Sequence, residues 1–400
     1  ASTLDFIAVD WSDGVFQTEL DLSSNRVHDI VETQRQLSSC PVIFAWDGRE
    51  FRFVTDCLGV AGIGFALGRD TVSVPRPWER ILLPEGVLAP RAERYELILA
   101  EPMEELCYLD AASLETWDLP PGWSMAIDDR MATGRPDPTG DAFFYREAMV
   151  PQRAVRTDVD VTADLGESDL VPADPGPLDR RFLGRLAEPM DLLLEFPRPI
   201  DSKSGRPFLL VDGWVEYPYS QTMFAAWQAS ASYDPPTLLA EDAHGEWIPL
   251  LPSFGFPAGM PRQMVVPMDG LPAGCRRLRL VTNLQIYWDR IQVAWSQACP
   301  SAIRSIRPFA SANVWAPGYP RRSTGDLFQP GYDWSDRIPL ADMRAQRGLY
   351  TAFGSAGPLV DAVDGNLAVF GTGEAIDLSW HIEPGAPRDG WTRRHVLDVR

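Results

Sequence analysis

The chain has 400 residues, more than one hydrophobic core usually serves, so two to four domains are expected. Its apolar fraction of 45% and charged fraction of 23% exclude wholesale disorder, and its net charge of −20 repels phosphate backbones and predicts no nucleic-acid partner. The 36 prolines and 31 glycines interrupt the chain too often for long helices and favour short strands joined by turns.

The first 125 residues predict two β units. A hairpin is predicted near the start, with apolar residues 6–11 as one strand, an Asp-Gly turn at 12–14 and residues 15–17 as the return strand. The polar stretch that follows predicts a linker, so residues 1–39 are predicted to be a β tail and linker. A small β domain is predicted at residues 40–125. It begins with a second hairpin, in which Val42, Phe44 and Trp46 alternate on one strand and an Asp-Gly turn leads to the return strand.

Residues 126–204 predict an irregular connection with edge strands. Proline-rich segments at 136–138 and 171–177 cannot be regular elements, and residues 157–161 suit one edge strand. Residues 300–400 predict a last β-rich domain with a short helix near residues 340–347 and strands near 368–370 and 376–380.

The clearest pattern is a β-sandwich at residues 205–299. Apolar residues 208–211 predict a buried strand, and residues 263–266 and 277–295 supply further strands. Within the last run the apolar residues change from even to odd positions around Asp289 and Arg290, which predicts a bulge or tight turn there, at a sheet rim. The predicted fold class is all-β, with several β-sandwich or jelly-roll modules and long proline-rich connections.

Most enzyme chemistries find no support in the sequence. The glycine-rich residues 62–68 precede prolines rather than the helix that a dinucleotide loop needs, the four histidines are dispersed, and no Gly-x-Ser-x-Gly motif occurs. The carboxylate pairs Glu104–Glu105 and Asp128–Asp129 are predicted to be solvated surface charge, because neighbours on a strand point to opposite faces. No catalytic residue, metal site or cofactor is predicted. An Asp-rich turn at 361–366 offers oxygen ligands that would suit calcium, but an ordinary hairpin turn is the favoured interpretation.

Five cysteines are scattered along the chain without a metal-binding spacing. Cys275 and Cys299 flank one predicted strand pair and are the favoured disulfide.

Aromatic residues crowd the predicted sandwich and suggest a ligand site. Flat aromatic rings stack on the apolar faces of sugars, while Asp, Asn and Arg bind the hydroxyl groups. Trp214 and Trp288 are expected in the core, whereas exposure is expected for the two tyrosines that flank Pro218. The predicted ligand-binding residues are Tyr217, Tyr219, Trp247, Asn283, Trp288, Asp289 and Arg290.

Several segments resemble a known family. Residues 11–17 with Asn25 resemble the ASPIC-type tail of proteins akin to cartilage acidic protein, which follows a propeller of FG-GAP (VCBS-type) repeats. Residues 40–53 with Asp56, and residues 282–291, resemble segments after such tails in bacterial members. Residues 205–299 also resemble galactose-binding-like jelly rolls. The resemblance implies a secreted or periplasmic protein used in adhesion, carbohydrate contact or assembly. It implies no catalytic residue, and the calcium-binding repeats of the propeller have no counterpart here.

The expected function is therefore extracytoplasmic binding or scaffolding of carbohydrate or protein, without catalysis. The alternatives are a structural subunit of a larger extracytoplasmic complex and a glycoside hydrolase-like enzyme. No membrane span is expected, because the longest apolar run, residues 58–68, is too short. No signal peptide is visible at the start, and the chain resembles a mature or trimmed piece of a longer one.

Overall fold

The protein is described by a computed structural model, which covers residues 3–11, 16–31, 41–57, 65–68, 71–324, 330–341, 343, 346–382, 385 and 387–400. Within these residues the regular structure is almost entirely β, and the predicted all-β class is confirmed. One α-helix, α1 (Ser220–Gln228), and two single 3₁₀ turns (Ala163–Leu165 and Gly357–Leu359) accompany the strands of the described part.

The strands of the first half are β1 (Thr3–Asp10), β2 (Phe16–Ser23), β3 (Val42–Trp46), β4 (Phe51–Asp56), β5 (Ala66–Gly68), β6 (Thr71–Val72), β7 (Glu79–Leu82), β8 (Arg94–Glu101), β9 (Leu106–Leu109), β10 (Ala112–Leu119), β11 (Ser124–Ile127), β12 (Ala142–Tyr145), β13 (Ala148–Met149), β14 (Arg153–Arg156), β15 (Val159–Asp160) and β16 (Arg185–Glu195).

Those of the second half are β17 (Arg206–Val215), β18 (Thr237–Glu241), β19 (Trp247–Leu251), β20 (Arg262–Pro267), β21 (Arg277–Leu284), β22 (Ile286–Ser296), β23 (Ile303–Ile306), β24 (Phe309–Trp315), β25 (Tyr319–Thr324), β26 (Pro330–Ile338), β27 (Gly354–Ser355), β28 (Ala368–Gly371), β29 (Glu374–His381) and β30 (Thr392–Val399).

Two sheets form a first sandwich from both ends of the chain. An eight-stranded sheet has the order β25-β26-β4-β3-β8-β29-β24-β27, and a four-stranded sheet has the order β23-β10-β30-β7. One buried cluster unites Ile43 and Leu97 of the larger sheet with Leu114 and Leu397 of the smaller one. Residues 40–125 and 300–400, expected to be separate domains, therefore share both sheets.

The sandwich predicted in the middle of the chain is present, and we call it the second sandwich. It contains more strands than expected. Its four-stranded sheet has the order β13-β22-β17-β20, and its six-stranded sheet has the order β15-β14-β16-β21-β18-β19. The eleven-residue β16 lies inside the larger sheet and pairs with β21 from Arg185↔Leu284 to Glu195↔Arg277, with an irregularity between Arg185 and Met190. The part of the predicted connection that contains β13 to β16, residues 148–195, is thus an integral part of the sandwich. The expected edge strand near residues 157–161 is confirmed as β15.

The hairpin β11–β12 lies between the two sandwiches. Met125 and Ile127 pack with Val396 of the first sandwich, whereas Ala126 packs with Phe208 of the second. Because successive residues of a strand point to opposite faces, one short strand is shared by two cores.

Several local predictions are confirmed, and others are not. β1 pairs with β2 and β3 pairs with β4, as the Asp-Gly turns predict, although residues 12–15 lie outside the described residues. Part of the polar stretch predicted as a linker is β2. α1 was not predicted. Of the helix predicted at 340–347, the described residues 340, 341, 343, 346 and 347 are not helical, so the prediction is wrong for them, and the other three residues lie outside the described ones.

The favoured disulfide is wrong, since Cys275 and Cys299 are both buried free thiols. Cys275 precedes β21 of the six-stranded sheet, whereas Cys299 follows β22 of the four-stranded sheet. The two predicted strands thus belong to opposite layers of the sandwich rather than to one pair.

Candidate functional site

The predicted bulge on β22 is confirmed. Asp212 of β17 lies opposite Arg290 and Gly213 lies opposite Trp288, so Asp289 is the extra residue. A Cβ on Gly213 would lie 2.4 Å from the Tyr287 carbonyl oxygen, so the bulge requires glycine at this position of the partner strand.

This corner is closed rather than open to a ligand. Trp288 and Asp289 are each 1% exposed, and Trp288 belongs to the core of the second sandwich as expected. The main chain at Ala173 donates to the Trp288 carbonyl oxygen (2.8 Å), and Ser168 Oγ donates to Asp289 Oδ2 (3.1 Å). A segment that was predicted to be an irregular connection therefore covers the expected rim.

The other polar residues of the corner serve the fold. Arg290 pairs with Asp212, with Nη2 2.6 Å from Oδ2. Buried Asn283 donates from Nδ2 to Asp234 Oδ2 (2.7 Å) and accepts from the Asp234 main-chain N–H (2.7 Å), which secures the loop before β18. Burial raises the pKa of Asp289 and of Asp212, the latter opposed by Arg290.

The tyrosines flanking Pro218 are less exposed than predicted. Tyr219 is 7% exposed at the start of α1, where its carbonyl oxygen accepts the Met223 N–H (2.9 Å). Tyr217 is half-buried, with its ring 6.3 Å from that of Phe65. The helix places Phe224 and Trp227 outward instead, 57% and 43% exposed.

Trp247 is the predicted ligand residue that lies on the outer face of the six-stranded sheet. It begins β19, the edge strand of the six-stranded sheet, and is half-buried on the outer face. Charged residues lie beside Trp247 on this face. Glu241 of β18 is opposite Trp247 in the strand register, and Glu195 of β16 is opposite Arg277 of β21.

Two arginines of β21 approach the Trp247 ring. The guanidinium carbons of Arg277 and Arg279 lie 5.6 Å and 5.5 Å from its centroid, within cation–π range. Each arginine also has a carboxylate: Arg277 Nη1 lies 2.5 Å from Glu241 Oε1, and Arg279 Nε donates to Asp191 Oδ1 (2.7 Å) and Oδ2 (2.9 Å). Hydrogen bonding to Asp191 raises the pKa of Arg279.

An aliphatic strip lies beside these charges. Leu193 and Leu239 flank Arg279 on the neighbouring strands and are half-buried on the same face. We call the surface of Asp191, Leu193, Leu239, Glu241, Trp247, Arg277 and Arg279 the outer platform. Both arginine side chains are 38% exposed, so their donors remain within reach of a ligand.

The sequence analysis predicted no residue of the outer platform except Trp247, although a sequence pattern indicates the two arginines. The run Arg277-Leu278-Arg279-Leu280 alternates polar and apolar residues, and both leucines are fully buried. Such alternation places the arginines on the outer face. The partners Asp191 and Glu241 come from other strands and required the register.

The carboxylate pairs predicted to be solvated are not. Asp128 is 2% exposed and pairs with buried Arg130 (2.7 Å), while Asp129 is 6% exposed, pairs with Arg76 and accepts the Arg80 main-chain N–H (2.7 Å). The two carboxylates face different partners, although both follow β11 and lie outside any strand. Burial, followed by the charge of Asp56, raises the pKa of half-buried Glu105 to about 7.

Neither a metal-binding cluster nor a membrane-spanning helix occurs among the described residues. No group of three or more His, Cys, Asp or Glu side chains there is placed to hold a metal ion. No described helix is long and apolar enough to cross a bilayer. The described part of the glycine-rich segment is β5, which pairs with β6.

Comparisons with known proteins assign no family. No family model matches the chain, and no curated protein matches it. Among solved structures, one titled "Structure of infectious bursal disease virus Gx strain" is 9% identical over 92% of this chain and 76% of that chain, with a TM-score of 0.11. A likeness at that TM-score supports no conclusion about fold or function.

Proposed function

We propose that this chain is a non-catalytic binding or scaffolding protein of an extracytoplasmic compartment, and that it contacts carbohydrate through the outer platform. The observation that carries the proposal is Trp247, half-buried at a sheet edge and flanked by Arg277 and Arg279. The compartment rests on the sequence resemblance to secreted FG-GAP proteins with an ASPIC-type tail.

The chemistry of the platform suits a sugar. An indole ring offers an apolar face to the C–H groups of a pyranose, and planar guanidinium groups donate to vicinal hydroxyls. The carboxylates beside them accept hydrogen bonds from the hydroxyl groups. Because ion pairs already hold both arginines in place, the donors are ordered before a ligand arrives, which lowers the entropy cost of binding.

The same ion pairs favour binding over catalysis. Glycoside hydrolysis needs one carboxyl group that is free to donate a proton to the leaving oxygen. On the platform, Asp191 is bound by Arg279 through two oxygens and Glu241 is bound by Arg277. Both carboxylates are therefore engaged in holding the arginines.

A glycan microarray probed with the wild-type chain, followed by titration of the best binder, tests the proposal. Trp247→Ala is expected to weaken binding by about tenfold or more, the equivalent of ~1.4 kcal/mol. Trp391→Ala is the matched control, because the Arg388 guanidinium lies 4.9 Å from the Trp391 ring on the other sandwich.

Equal loss of affinity in both variants, or none in Trp247→Ala, would argue against the platform. A wild-type chain that binds no glycan and copurifies stably with other chains of its source would favour the alternative of a structural subunit. Hydrolysis of a polysaccharide that is lost on neutralising one carboxylate would favour the enzyme.

A further inference from the structure

A cavity of about 560 Å³ lies in the first sandwich, at the edge of β30. β7 ends at Leu82, and its last bond to β30 runs from the Leu83 N–H to the His395 carbonyl oxygen (2.9 Å). Beyond that point the edge of β30 faces the cavity instead of a strand. Pro84, Leu88 and other apolar residues line the opposite wall.

Two basic side chains with unpaired buried nitrogens line this cavity. In the described structure, His395 Nε2 and Arg394 Nε have no hydrogen-bond partner. Arg394 makes one long bond, from Nη2 to the Leu83 carbonyl oxygen (3.4 Å). Buried polar groups without partners are uncommon in folded proteins and invite a ligand or water.

The two side chains reach the cavity from opposite sides of the sheet. Neighbours on a strand alternate between faces, so Arg394 and His395 could not both line a cavity that lay over one face. A cavity beyond the strand edge is open to both. The adjacent Arg393 is already bound, with Nε 2.7 Å from Asp118 Oδ1 and Nη2 2.8 Å from Oδ2.

The electrostatic character of the cavity differs from that of the chain as a whole. The net charge of the chain is −20, yet two arginines, Arg393 and Arg394, line this wall. Asp118 binds Arg393, so the cavity offers an anion the charge of Arg394, with Glu85 as the acidic residue beside it. Burial and the charges of Arg393 and Arg394 lower the pKa of His395 to about 4, so the imidazole is neutral at pH 7. The His395 ring packs edge-on against Tyr95, with centroids 4.8 Å apart.

We propose that this cavity binds a small monocarboxylate with a compact apolar body. The carboxylate accepts from the Arg394 guanidinium and from His395 Nε2–H, and the apolar body lies against Pro84 and Leu88. Arginine matches a carboxylate in geometry, and the neutral imidazole supplies a second donor. The proposal is independent of the sugar-binding platform on the second sandwich.

Titration with cyclohexanecarboxylate tests this site, with the isosteric neutral cyclohexanecarboxamide as the ligand control. Binding is followed by calorimetry and by the imidazole resonances of His395, one of four histidines in the chain. The carboxylate is expected to bind saturably at millimolar concentration and to shift His395, whereas the carboxamide is expected to bind at least about tenfold more weakly.

Two variants with opposite expected effects accompany the titration. Arg394→Gln is expected to weaken binding at least about tenfold, and Glu85→Gln to strengthen it by removing a like charge. Exposed Arg49 lies in the β3–β4 turn, so Arg49→Gln is the charge-matched control and should leave the affinity unchanged. No saturable binding, equal binding of the carboxamide, or an affinity unmoved by both Arg394→Gln and Glu85→Gln would overturn the proposal.

Discussion

Arg262 of the second sandwich forms a buried ion pair with Asp56 of the first, with Nη2 2.8 Å from Oδ1. The same guanidinium pairs with fully buried Glu79 on β7. Both Arg262 and Asp56 are less than a tenth exposed, so this contact between the sandwiches is shielded from water and salt.

Replacing this arginine is expected to destabilise the protein strongly. Arg262→Met leaves Asp56 and Glu79 buried without their cation, which costs about 3–5 kcal/mol of the free energy of unfolding. Urea denaturation measures the loss. The control is Arg206→Met, whose pair with Asp269 is about half exposed and is worth ~0–1 kcal/mol. Equal losses in the two variants would contradict the interpretation.

Glu105 makes stability depend on pH. Its pKa is about 7 in the folded state, against 4.5 for the unperturbed side chain, so the folded state binds more protons than the unfolded state between these values. Its contribution is fully present below pH 4.5 and is lost as pH rises toward 7. The melting temperature of Glu105→Gln minus that of the wild type is therefore expected to be larger at pH 8 than at pH 5. A difference in melting temperature that is the same at both pH values would refute this assignment.

Trp288 is expected to act through the core and not through a ligand. Trp288→Ala removes a side chain that is 1% exposed and should cost about 3–5 kcal/mol in unfolding free energy. Trp227→Ala, at a position 43% exposed, should change stability by no more than ~0.5 kcal/mol. Chemical denaturation of both variants decides the matter, and a small effect at Trp288 would reopen the corner as a binding site.

The bulge on β22 depends on the absence of a side chain at Gly213. Gly213→Ala puts a Cβ 2.4 Å from the Tyr287 carbonyl oxygen, so the backbone must shift, and we expect a loss of about 1–3 kcal/mol. Gly166→Ala is the control, because its Cβ would meet its nearest atom at 3.6 Å. Thermal unfolding of the two variants provides the comparison, and similar melting temperatures would show that the bulge tolerates the side chain.

Local patterns predicted the parts of the fold that depend on neighbours in sequence. The hairpins β1–β2 and β3–β4, the core position of Trp214 and Trp288, and the irregularity at Asp289 all follow from alternation and turn residues. Trp247 was selected among the aromatic residues and does lie on the outer face of the six-stranded sheet. The carboxylates that pair with the arginines beside Trp247 were not predictable. The register between strands far apart in sequence brings Asp191 to Arg279 and Glu241 to Arg277.

By itself, the sequence determined that this protein is all-β, where many of its strands lie, and which face of β21 is polar, because the alternation of side chains is a local property of the strand. The tertiary structure alone decided that the two ends of the chain share one sandwich, that β13 to β16 complete the other, and that the corner at Trp288 is covered. Strand pairing and burial depend on residues far apart in sequence. The backbone edge of one strand can pair with several others, and only the packing of the whole chain selects among them.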